Sequence, residues 1–199
     1  MLETIERRTF ALDSCKIEQR SETGQAKIIG HAAVFDQLSE NLGGFRELIK
    51  PGAFTQALQE DDVRALFNHN PDYILGRNKA GTLILSEDGR GLTVEINPPD
   101  THTANDVLKS IQRGDISQMS FGFRVRAGGE QWTEDENGET VRTLTDLKLF
   151  DVSPVTFPAY LQTDVAVRSL SDYRASQTNG NPNLQRYRMR LRVLELAGM

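Results

Sequence analysis

Two polar side chains stand where chemistry could be done. His69 follows the apolar run Val63–Phe67 in an Asn- and Pro-rich segment, Asn68-His69-Asn70-Pro71. Ser120 interrupts an otherwise apolar run, Met119-Ser120-Phe121-Gly122-Phe123. A hydroxyl in such a strand must bond to something or carry a cost of about 1–3 kcal/mol. Gly122 would let another backbone, such as a substrate strand, approach closely. Ser and His act as nucleophile and base on any fold that brings Oγ and a ring nitrogen within hydrogen-bond reach. A Ser bonded to a neighbouring strand and a His on a surface loop would show the same spacing. Spacing alone leaves both readings open.

The rest of the composition narrows the chemistry. The 199 residues carry one cysteine, Cys15, and three histidines, His31, His69 and His102. Cys15 excludes an internal disulfide framework and reads as an inert buried thiol. Zinc sites of the common Cys/His kinds are excluded with it, and no metal or cofactor is expected. A net charge of −5 argues against nucleic acid as the main partner. No apolar run approaches the roughly 18 residues of a membrane span, and no signal pattern opens the chain, so a cytoplasmic protein without a membrane partner is expected. His31 reads as a satisfied strand histidine and His102 as a loop or capping residue. Glu134–Glu139 lacks the ligand spacing of a calcium loop, and its Asn137-Gly138 reads as a hairpin turn. Gly43-Gly44 is not followed by the Lys-Ser/Thr of a phosphate loop.

These residues need elements to hold them. Thr9–Leu12 and Ala26–Phe35 have strand character, with Gly24 turning between them. A loop from Leu42 leads into a short strand before Ile49, and Pro51-Gly52-Ala53-Phe54 opens a helix to about Glu60. Val63–Phe67 is a strand, and Pro71 forces extended geometry on Asn70. Leu83–Leu85 and Leu92–Ile96 alternate as a hairpin. Thr103–Arg113 is an amphipathic helix through Val107, Leu108 and Ile111, stopped by Gly114. Met119–Val125 and Arg142–Val152 complete the strands. The expected fold is α+β, mainly β: a small closed or nearly closed barrel surrounded by helices. A domain over 1–170 is expected, then a flexible linker over 171–183. A basic amphipathic helix over 184–199, rich in Arg, is read either as packed on its own domain or as binding a partner.

Four blocks in order carry a resemblance. They are Pro51-Gly52-Ala53-Phe54; Ala65–Pro71 through Leu75-Gly76-Arg77; Gly114-Asp115-Ile116 with Met119–Phe123; and Leu149–Tyr160. Together they resemble the tailed-phage prohead maturation protease family across roughly residues 9–169. The resemblance implies a fold similar to herpesvirus assemblin, a barrel ringed by helices with Ser and His at its surface. It implies a serine endopeptidase that cleaves scaffold, or the scaffolding arm of the capsid protein, and then itself. The expected partners are therefore the major capsid protein and scaffold, with further copies of the chain. The expected place is the host cytoplasm, inside the prohead. A scaffold or assembly chaperone on the same fold, without catalysis, is the alternative.

By motif position the resemblance makes Ser120 the nucleophile and His69 the base. Assemblins follow the Ser with a second His, but no histidine follows His102 here. Either a carboxylate orients His69 or nothing does, and Asp151 and Asp146 are the choices. Both lie on the strand Arg142–Val152, so they point to opposite faces and at most one meets the catalytic face. Asp151 is preferred because its apolar surroundings make an unpaired carboxylate costly. Assemblin-type enzymes also use an Arg near the site for the oxyanion, and Arg168 and Arg77 are the candidates.

Overall fold

A computed structural model describes residues 5–11, 16–19, 26–157, 170, 171 and 173–175. The chain runs β1 (Glu6–Ala11), β2 (Lys16–Gln19), β3 (Ala26–Val34), β4 (Arg46–Ile49), α1 (Thr55–Glu60), β5 (Arg64–Phe67) and β6 (Asn70–Arg77). It continues through β7 (Leu83–Glu87), β8 (Gly91–Ile96), α2 (His102–Arg113), β9 (Gln118–Val125), β10 (Glu130–Glu134), β11 (Thr140–Leu144) and β12 (Leu147–Val155). The strands form three sheets, ordered β1-β9-β12-β5-β6, β10-β11-β4 and β2-β3-β8-β7. The mainly β expectation is met. Among the described residues, however, no hydrogen-bonded ladder joins the sheets into a closed barrel.

One core serves both larger sheets. Phe54 meets Phe121 edge-on at 5.6 Å, and Phe121 stacks on Phe123 at 5.0 Å. Ile28, Leu92, Val94 and Ile96 of the four-stranded sheet bury into the same cluster, as do Leu147, Leu149 and Val152 of β12. Helix α2 adds Val107, Leu108 and Ile111 from one face. It starts at the cap of Thr101, whose side chain accepts from the Ala104 amide, and ends on Gly114 at φ 81°. His102 is thus the first helical residue, and Thr101 rather than His102 is the cap.

The pleat of β9 determines what faces the core. Met119, Phe121 and Phe123 are fully buried on one side. Alternation turns Gln118, Ser120, Gly122 and Arg124 to the other. Strand β9 lies between β1 and β12, with Ser120 opposite Thr9 on one flank and Ser153 on the other. Strand β12 also pairs in parallel with β5, whose hairpin to β6 carries His69.

One expected strand is two. Arg142–Val152 breaks at Thr145 and Asp146, whose amides both donate to the Gly129 carbonyl at 2.8 and 3.2 Å. The chain there leaves the three-stranded sheet and enters the five-stranded one. The alternation argument that separated Asp146 from Asp151 therefore does not apply, and a further register shift falls between Leu149 and Asp151. Beyond the expected boundary at 170, Tyr173 stacks on Trp132 at 5.0 Å, and Leu170 buries beside Leu42 and Phe45. Residues 176–199, with most of the expected linker and the basic helix, lie outside the described residues.

Candidate active site

His69 occupies the tight turn of the β5–β6 hairpin. Phe67 pairs with Asn70, and the two residues between them, Asn68 and His69, have φ of 53° and 56°. Two successive positive φ values are the signature of a type I′ turn, whose hand matches the twist of a hairpin. This conformation is uncommon for any residue with a Cβ, although Asn and His are among those that adopt it most readily. The turn is tied to the end of β12. The Asn68 amide donates to the Pro154 carbonyl at 3.0 Å. Its side-chain oxygen accepts from the Thr156 amide at 2.8 Å, and its side-chain nitrogen donates to Thr156 Oγ1 at 3.1 Å. Strand β12 carries Asp151, so this clamp fixes the imidazole relative to the carboxylate.

The three side chains meet in one line. Ser120 Oγ lies 2.7 Å from His69 Nε2, and His69 Nδ1 lies 2.5 Å from Asp151 Oδ1. An ionised carboxylate accepts at Nδ1, so the ring proton sits there. The Nε2 lone pair is left to accept from the Ser120 hydroxyl. The His69 side chain is 8% exposed, and Ser120 is wholly buried. The nucleophile candidate is therefore covered rather than displayed at a surface, as the resemblance implied. Asp151 Oδ1 also accepts from Ser153 Oγ at 2.8 Å. Asp151 lies across from Gly122, where a Cβ would overlap Asp151 Oδ2. Gly122 therefore makes room for the carboxylate, not for an approaching substrate strand.

The other singled-out residues lie elsewhere. Asp146 faces Arg126 at 3.5 Å from the break before β12. Arg77 stands on β6, three strands from β9, and donates to Asp62 at 2.7 and 2.6 Å. Those bonds from Arg77, with Arg64 nearby, hold the exposed Asp62 carboxyl down at about 2. Arg168 and Cys15 lie outside the described residues. His31 bonds Asp88 through Nε2 at 2.9 Å, while its buried Nδ1 has no partner, so it is only half satisfied. In the acidic run, Asp135 accepts from the Asn137 and Glu139 amides, which accounts for it as a turn. Sequence reasoning missed Ser153 and the Asn68–Thr156 clamp. The spacing of Asp151 and Ser153, two apart on a strand, was the signal available for the first.

Among curated proteins, none matches the chain in sequence. Among solved structures, the bacteriophage T4 capsid assembly protease, gp21, is similar with a TM-score of 0.51 at 12% identity, covering 76% of this chain and 96% of that one. At that identity the likeness speaks for the fold alone. No described helix is long and apolar enough to cross a membrane. The family model of the caudovirus prohead serine protease matches residues 13–177, most of the chain and all three residues of the hydrogen-bonded line. The chain belongs to the caudovirus prohead serine protease family.

Proposed function

We propose that the chain is an endopeptidase of capsid maturation, with Ser120 as nucleophile, His69 as base and Asp151 as the group that orients His69. The supporting observation is the continuous Ser120–His69–Asp151 hydrogen-bond line. His69 Nε2 takes the hydroxyl proton as Ser120 Oγ attacks the scissile carbonyl carbon. Asp151 stabilises the imidazolium so formed. The proton then passes to the leaving amine, and the peptide remains as an ester on Ser120. Water, deprotonated by the same ring nitrogen, hydrolyses that ester and returns the hydroxyl. No residue outside the chain is needed for these proton transfers.

The tetrahedral intermediate requires a donor for its oxyanion, and losing one such donor typically costs about 10²–10³ in rate. Asp62 already engages the Arg77 guanidinium, which leaves Arg168 as the arginine to test. Ser120 is fully covered, so a substrate carbonyl reaches it only when part of that cover moves aside. The proposed substrates are scaffold or the scaffolding arm of the capsid protein, and the chain itself, cut inside the prohead.

Mass spectrometry of capsid and protease chains from particles made with Ser120→Ala tests this reading. The expected result is uncleaved chains in particles that still assemble. Normal processing by Ser120→Ala would leave the non-catalytic assembly role as the better account.

A further inference from the structure

We propose that Ser153 is a positioning residue of the triad, holding the Asp151 carboxylate at the angle and charge that His69 requires. This rests on the reading of Ser120, His69 and Asp151 as a catalytic unit. Asp151 Oδ1 receives two donors, His69 Nδ1 at 2.5 Å and Ser153 Oγ at 2.8 Å. Ser153 is wholly buried, so its hydroxyl must be bonded within the protein, and the bond it makes is to this carboxylate.

The placement follows from strand register. Asp151 and Ser153 are two residues apart on β12 and share a face. Across the ladder, Ser153 lies opposite Ser120 and Asp151 opposite Gly122. The four residues form a block in which nucleophile and hydroxyl donor alternate with carboxylate and gap. Gly122 leaves no Cβ under Oδ2, and Ser153 grips Oδ1 from along the strand. Together they leave the carboxylate one rotation, which points Oδ1 at Nδ1.

Removing the Ser153 hydroxyl has two consequences. The carboxylate gains freedom to turn about its own axis, and His69 loses part of its alignment on Ser120. A hydrogen bond that stabilises the ionised carboxylate is also lost, so the carboxylate becomes more basic and pairs more strongly with the imidazolium. The acid limb of the rate profile, set by His69, therefore moves to higher pH.

The test uses the full chain with its own capsid protein as substrate. Ser153→Ala should lower turnover on the order of tenfold with KM unchanged, the scale of one hydrogen bond to a charged group. Its acid limb should shift upward, and the downfield proton resonance of the His69 ring N–H should move. Ser153→Cys fills a similar volume with a weak donor and should behave alike, which covers a failure of the Ala variant to fold. Wild-type turnover, profile and resonance in the folded variants would overturn the proposal. So would a loss of turnover with profile and resonance unchanged, because that marks a purely structural serine. Ser120→Ala run beside them separates the two readings. If Ser120→Ala still processes, the triad itself fails; if it is dead and the Ser153 variants are normal, only the Ser153 role fails.

Discussion

A histidine becomes a general base only when something fixes which nitrogen carries the proton, and here Asp151 is placed to do so. Replacing Asp151 with Asn offers Nδ1 an amide that can donate as well as accept. With the amide N–H turned to Nδ1, the ring proton moves to Nε2, and His69 can no longer accept from Ser120. The comparable change in the trypsin-type triad costs about 10⁴ in turnover. Asp151→Asn is expected to approach that loss while folding normally, because the Ser153 hydroxyl can accept from the amide nitrogen that then stands in place of Oδ1. Asp146→Asn should process at the wild-type rate, since among the described residues its carboxylate faces Arg126 at the strand break, away from His69. Rates of capsid-chain processing by the two variants decide it, and a crippled Asp146→Asn beside an active Asp151→Asn would reverse the assignment. The pairing of Asp151 with His69 was legible in the sequence through the cost of a lone carboxylate in an apolar run. The parity argument, which let at most one of the two meet the catalytic face, assumed a single strand, and nothing in the residues around Thr145 announces that one strand ends and another sheet begins. For Ser153 the sequence offered only its place two residues after Asp151, because which carboxylate oxygen it meets is decided by the fold.

Hairpins and helices were the most readable elements, because their signals are local. Gly114 ends α2 in the left-handed exit expected of it, and Pro71 marked Asn70 as extended, although neither strand β6 nor the Thr101 cap was read from the sequence. What the sequence did not reveal is that the His69 segment is itself the turn, with both central residues at positive φ. Type I′ turns favour Asn followed by Gly, so His at the second position is a conformational cost, roughly 1–3 kcal/mol, borne at the candidate site. Asn68 offsets it by tolerating its own conformation and by bonding Thr156 through both side-chain atoms. Two substitutions separate these contributions. Asn68→Ala should lose both, melting earlier by an amount equivalent to about 1–3 kcal/mol and processing at least tenfold more slowly. Asn68→Gly keeps the backbone conformation without the clamp, so it should recover most of the stability and little of the rate. Thermal melts and processing rates measured together would show this. A wild-type rate in Asn68→Gly would mean that the clamp to β12 is dispensable for aligning His69.

At the scale of the whole molecule, a buried charge network joins two sheets and holds the strand beside Ser120. Arg8 donates to Glu47 at 2.7 and 2.8 Å and to Glu6 at 2.9 Å. Arg142 donates to Glu6 at 2.8 and 3.0 Å, to Glu47 at 3.1 Å and to Glu130 at 2.5 Å. These residues come from β1, β4, β10 and β11, and Glu6 and Arg142 are 136 positions apart, a separation no local pattern can signal. Strand β1 runs alongside β9 with Thr9 opposite Ser120, so the network anchors one flank of the candidate site. Burial raises the Glu6 carboxyl, but hydrogen bonds and charge from Arg142, with the charge and bond of Arg8, outweigh it and leave it below its ordinary 4.5. A carboxyl depressed on folding stabilises the native state above its unfolded value, and that contribution drains away as pH falls through the folded value. Glu6→Gln should therefore be less stable than the wild type at neutral pH by about 2 kcal/mol. This is less than the roughly 3–5 expected for a cation losing its sole partner, because Arg142 keeps Glu47 and Glu130. Below about 4.5 the gap should narrow, because the wild type loses the Glu6 contribution and the variant has none to lose. Urea unfolding followed from neutral into acid for both chains would reveal the converging curves. Parallel curves would mean that Glu6 binds its proton equally in the folded and unfolded states, and that its ion pairs with Arg8 and Arg142 do not anchor β1 beside Ser120.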